Sequence, residues 1–103
     1  DMNWKMYKIL QCLEPFGPGN ERPLFLCRNL INNRNTRAVS EGRHLHLDLT
    51  DRIVAMDGIA FGQGEKAEHL QNGKSIDVCF YLEENSYRGR TTLQMNAQDI
   101  KLN

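Results

Sequence analysis

No run of about 18 apolar residues able to span a bilayer occurs in the sequence, and no secretory signal pattern opens it. Both absences predict a soluble, cytoplasmic domain with no membrane partner. The chain begins at Asp1 rather than an initiator Met, which points to a fragment. Cysteine is scarce: Cys12, Cys27 and Cys79 are an odd number without CxxC spacing, which argues against a disulfide framework and a zinc ribbon and fits a reducing compartment. No P-loop, nucleophile elbow or dinucleotide fingerprint is present, and the glycines of GIAFGQG end a strand without opening a long helix. The paired carboxylates Glu83 and Glu84 fall in a polar turn with no apolar pocket to shift a pKa, so solvated charge is their default. These absences describe a non-catalytic chain. There is also no internal repeat and no low-complexity segment.

What is present suffices for one core. With 103 residues, 40% of them hydrophobic, the chain can bury a single modest interior, and two domains would leave neither enough apolar material. Net charge is zero, yet its signs are segregated: residues 22–43 carry five arginines against one acid, while residues 48–84 carry eight acids against three bases. If the arginines gather on one face, a positive patch survives a neutral total.

Residues 2–13 place apolar side chains at 2, 6, 9, 10 and 13, one face of an N-terminal helix that Asp1 or Asn3 could cap. In LEPFGPGNERPLF, prolines and glycines forbid regular structure and set a boundary, giving a helix and junction over 1–23 and a second unit over 24–103. From Leu24 the period becomes two. Strands are predicted over 24–39 with a break at 32–35, then 44–49, 52–61, 75–82 and 91–102, with a turn at 83–90. A short helix over 65–70 stands between the third and fourth strands and ends at Asn72-Gly73. Five antiparallel strands with a helix after the third predict an all-β fold, an OB-fold barrel, whose ligand surface lies near strands two and three and the loops joining strands one to two and four to five.

Two constellations carry the candidate chemistry. In RHLHLDL, strand alternation puts His44, His46 and Asp48 on one face and Leu45, Leu47 and Leu49 on the other. HxHxD occurs in metallo-β-lactamases, but there a further His follows the Asp, where this chain has Leu49. The remaining histidine, His69, lies in the short helix, so no third ligand is evident and no metal site is assigned. The second constellation combines SEGRH with EENSYRGR. In an OB barrel both loops are expected on the same side of one groove, delivering Arg43, His44 and His46 from one segment and Tyr87, Arg88 and Arg90 from the other. Guanidinium groups pair with phosphates and an aromatic ring stacks on any base, which suits single-strand binding with little sequence preference.

LEPFGPGN followed by RPLF, then GRHLHLDL, GIAFGQG and GKSIDVCFYLEENSYRGRTTLQMNAQDI, resemble in that order the C-terminal OB-fold region of the RecJ family. The chain departs in having Glu21-Arg22-Pro23 where GPGNP is expected. The resemblance implies a parent enzyme that degrades single-stranded DNA from the five-prime end in repair and recombination, with Mn or Mg held by a DHH-type core. No Asp-His-His triplet is present here, so those ligands cannot be carried over, and the fragment itself is expected to need no cofactor. The implied partners are single-stranded DNA, the catalytic core of the same chain and single-strand-binding protein. The expectation is therefore a single-stranded-DNA-binding OB domain. The alternatives are a docking module packed on the core or on a partner protein, and a small metallohydrolase.

Overall fold

The structure, a computed structural model, describes Glu14–Pro15 and residues 24–103. The helix expected over 2–13, and most of the junction that follows it, lie outside the described residues. Within that junction Glu14–Pro15 forms a two-residue strand, β1, antiparallel to the start of the next strand. A proline is tolerated there because an edge strand does not need every N–H for a ladder.

The sequence from Leu24 onward forms β2 (Leu24–Asn32), β3 (Arg37–Val39), β4 (His44–Thr50), β5 (Ala55–Ala60), a 3₁₀ turn (Gly64–Lys66) running into α1 (Ala67–Gln71), β6 (Ile76–Tyr87) and β7 (Arg90–Leu102). Strand order is β1-β2-β6-β7-β5-β4-β3, and a further β2–β4 pairing closes five strands into a ring. β5 and β7 are parallel and the other neighbours antiparallel. This is the expected OB barrel, with β3 as a short flap beside β4 and the helix between the third and fourth barrel strands.

Period-two alternation decides what fills it. Leu45, Leu47 and Leu49 of β4 meet Cys27, Leu30, Met56, Ile76, Val78, Phe80 and Met95 in the interior, and Leu70 of α1 plugs one end. The alternation of β7 changes phase where Cys79 pairs with Asp99 but Phe80 with Ala97. The extra residue, Gln98, is what lets Ala97 and Ile100 both turn inward.

Three expectations are corrected. The strand expected over 52–61 begins only at Ala55, because Asp51 Oδ1 accepts the Ile53 and Val54 N–H groups (both 2.9 Å) and holds an Asx-type turn. The break at 32–35 is real, but the strand resumes as a separate element, since Thr36 turns in and its hydroxyl accepts from the Asp48 N–H (3.0 Å) and donates to the Asp48 carbonyl (3.1 Å). Residues 83–90 are not a loop. β6 and β7 run on as a ribbon, turned by Arg88 and Gly89 alone at φ 51° and 77°, the positive-φ pair a two-residue hairpin of type I′ requires. Glu83 and Glu84 are therefore strand residues.

Candidate nucleic-acid interface

The outward side of β4 carries His44, His46 and Asp48, as the alternation requires. β3 adds to it. Arg37 pairs directly with His46 and Val39 with His44, so the exposed Arg37 shares the His46 side of the sheet. Arg34 is exposed in the β2–β3 connection, and Arg43 is exposed in the turn before β4. Arg37 and Arg43 thus share the β3–β4 end of the barrel with His44 and His46, while Arg34 stands further along β4, between Asn33 and Asn35, which both bond to Asp48. Arg34 and Arg37 were not singled out from sequence, because only the pairing of β3 with β4 shows which way Arg37 faces.

The turn at this end is rigid. Ser40, Glu41 and Gly42 all have positive φ, and the Arg43 guanidinium Nε donates to the Ser40 carbonyl (3.0 Å). The Gly64 N–H donates to the Arg43 carbonyl (3.2 Å), so the 3₁₀ turn after β5 seats on the turn before β4. A Cβ at residue 64 would fall on the Gly42 carbonyl oxygen, and only glycine permits this approach.

His44 is tied into the same assembly. The Gly62 N–H donates to His44 Nδ1 (2.9 Å), and the rings of His44 and Phe61 meet edge to face, 5.3 Å between centroids at 78°. A nitrogen that accepts cannot carry a proton, so His44 is the Nε2–H tautomer. Asp48, which completed the HxHxD pattern, is committed elsewhere: Oδ2 accepts from the Asn35 N–H (3.0 Å) and Oδ1 from Asn33 Nδ2 (3.3 Å). His69 donates to the Ser75 carbonyl (2.8 Å). Among the described residues no three His, Cys, Asp or Glu side chains converge as metal ligands.

Tyr87, Arg88 and Arg90 stand at the tip of the β6–β7 ribbon, where residues 84–92 are exposed. The Arg88 guanidinium lies 5.2 Å from the Tyr87 ring centroid, a cation–π contact. These residues do not join Arg43, His44 and His46 in one cluster. β5 pairs Asp57 with Gln94 and Ile59 with Asn96 in parallel, which sends the ribbon tip past the Thr50–Ala55 end of β4 and β5. The turn with Arg43 lies at the other end, separated by a seven-residue strand, roughly 20 Å. The two segments bound one outward face at its ends. Between them stand His46 opposite Ile59 and Asp48 opposite Asp57.

No helix among the described residues is long and apolar enough to cross a membrane. The chain matches the RecJ OB domain family over residues 1–99. It is 30% identical over 97 residues to the single-stranded-DNA-specific exonuclease RecJ of Thermus thermophilus, covering 94% of this chain and 13% of that protein. It also superposes on the crystal structure of RecJ in complex with Mg2+ from Thermus thermophilus, with a TM-score of 0.57 and 28% identity, over 93% of this chain and 14% of that one. The chain thus spans a small fraction of these relatives. Matched over nearly its whole length and folded as a five-stranded ring with the helix in the OB position, the chain belongs to the RecJ OB domain family.

Proposed function

We propose that this domain binds single-stranded DNA across the outward face of β4 and β5, as a non-catalytic part of a cytoplasmic RecJ-like exonuclease acting from the five-prime end. The observation that carries the reading is the placement of Arg37 and Arg43 with His46 at one end of the face that OB folds use for nucleic acid. Arg37 and Arg43 pair with phosphates there. Arg88 and Arg90 offer a weaker second contact at the ribbon tip, where Glu83 and Glu84 partly offset them. His46 lines the face between, and His44 acts through the turn it holds. Among the described residues no three His, Cys, Asp or Glu side chains converge to hold the Mn or Mg of the resemblance. We place that metal chemistry in the catalytic core of the parent enzyme.

The test is the salt dependence of oligonucleotide affinity. Binding should weaken steeply as salt rises, because each neutralised phosphate releases counterions, and single strands should be preferred to a duplex of equal charge. A docking module is the second reading, favoured by one observation: Asp48 and Asp57 face each other in the middle of the surface, where they repel phosphate. No binding at low salt would leave docking as the function.

A further inference from the structure

We propose that Phe61 is the residue on which a base of the bound strand stacks, and that His44 positions it; this rests on the reading above. Phe61 directly follows β5 in the outward phase of its alternation, beyond Asp57 and Ile59, and this large apolar ring is 61% exposed. It is nevertheless held. The His44 ring meets it edge to face, and the next residue, Gly62, is bonded to His44 Nδ1. Two residues further on, Gly64 is bonded to the Arg43 carbonyl. An exposed aromatic ring is thereby fixed within the same small assembly that carries Arg43, one strand over from His46 and two from Arg37. The acids nearest in sequence are Glu41, in the same turn, Asp57 and Asp48 further along the face, and Glu65, which pairs with Lys66 (3.6 Å).

This arrangement supplies both halves of single-strand recognition: guanidinium groups for two phosphates and an open π-face for the base between them. His44 meets Phe61 edge to face and still leaves the residue 61% exposed among the described residues, area on which a base can stack. Tyr87 is the competing aromatic, at 69% exposure. Its ring already faces Arg88, and it stands at the end of a ribbon with no contact of this kind to hold it. A platform fixed before binding loses less entropy than one that must be ordered on binding. Duplex DNA, whose bases are stacked on one another, cannot use Phe61.

The experiment compares, by fluorescence anisotropy, an oligonucleotide of about 15 thymidines with an abasic strand of the same length and charge, a length within OB site sizes. The wild-type chain should prefer the thymidine strand by about tenfold, the stacking of one base. Phe61→Ala should bind both strands alike while keeping the wild-type salt slope, and Phe61→Trp should restore the preference. His44→Ala should lower the preference, whereas His44→Asn, which keeps an acceptor near the position of Nδ1, should retain it. Thermal unfolding close to wild type shows that Phe61→Ala is folded, as expected for so exposed a side chain. A Phe61→Ala chain with the wild-type preference and salt slope overturns the stacking role alone. The absence of any salt-dependent binding by the wild-type chain overturns the single-strand reading and this proposal with it.

Discussion

Asp77 stands on the side of β6 away from Val78 and Phe80 and is buried all the same. Its Oδ1 accepts from Asn103 Nδ2 and from the backbone N–H of Asn29 (both 2.9 Å), and Asn29 sits at φ 58° in the bulge of β2. The Asn103 bond, then the Asn29 bond, hold the carboxyl below its ordinary value of 3.8, helped by the Lys101 and Arg28 charges and opposed by burial. A carboxylate whose folded pKa is lowered stabilises the fold above the unfolded value, and that contribution fades as pH falls through the folded one. Asp77→Asn, which keeps the acceptor but loses its charge, should therefore lose about 1 kcal/mol at neutral pH, the difference between charge-assisted and neutral hydrogen bonds. The difference from wild type should shrink as pH falls below 3.8, a window that denaturant unfolding across pH would resolve. Cys79, two residues on, is raised by burial and then by the Asp99 carboxylate, so its thiol stays protonated at neutral pH. Site-resolved mass spectrometry should find it alkylated slowly until the chain is unfolded.

Between elements, the β2–β3 break is held in part by one buried hydroxyl. Thr36 is buried, and its side chain accepts from and donates to the backbone of Asp48 as a strand neighbour would. Thr36→Val keeps the shape and removes both bonds, and should destabilise by about 2 kcal/mol, whereas Thr36→Ser should lose less, as chemical denaturation would measure. Gly64→Ala should force the 3₁₀ turn off the Gly42 carbonyl, lowering both the melting temperature and oligonucleotide affinity. The elements differ in how far the sequence discloses them. HLHLDL is legible because one of its faces is fully buried and the other wet. The break at 32–35 is legible from its asparagines. The ribbon over 83–90 is not, because both of its faces are in water and no apolar alternation marks it; its one signal is Arg88-Gly89, with an arginine where Asn or Asp is usual. Arg37 was hidden because its facing depends on a partner strand, and Phe61 because an apolar residue ending an apolar run reads as core.

At the scale of the molecule, a closed ring of five strands leaves few ways for so small a chain to build a surface. Its interior is shared by all five strands, with Leu47 and Phe80 fully buried in it. Leu47→Ala should destabilise by about 3 kcal/mol, within the range for large-to-small core changes, and circular dichroism against denaturant would show it. The outward face of β4 and β5 carries His44, His46, Asp48, Asp57 and Ile59. Its charge is unequal along its length, with arginines beside β3, carboxylates at Asp48 and Asp57, and a mixed ribbon tip beyond. On the proposed reading, a strand of DNA crossing this face would be held chiefly at the β3–β4 end.

That claim is tested most directly by the slope of log affinity against log salt for a thymidine oligonucleotide, measured for the wild-type chain, for Arg37→Ala/Arg43→Ala and for Arg88→Ala/Arg90→Ala. Single strands lose about 0.7 in slope per phosphate contact removed. The first double variant should flatten the slope by about 1.4 on that basis and the second by clearly less. An unchanged slope in Arg37→Ala/Arg43→Ala, with the loss appearing in Arg88→Ala/Arg90→Ala, would contradict the account.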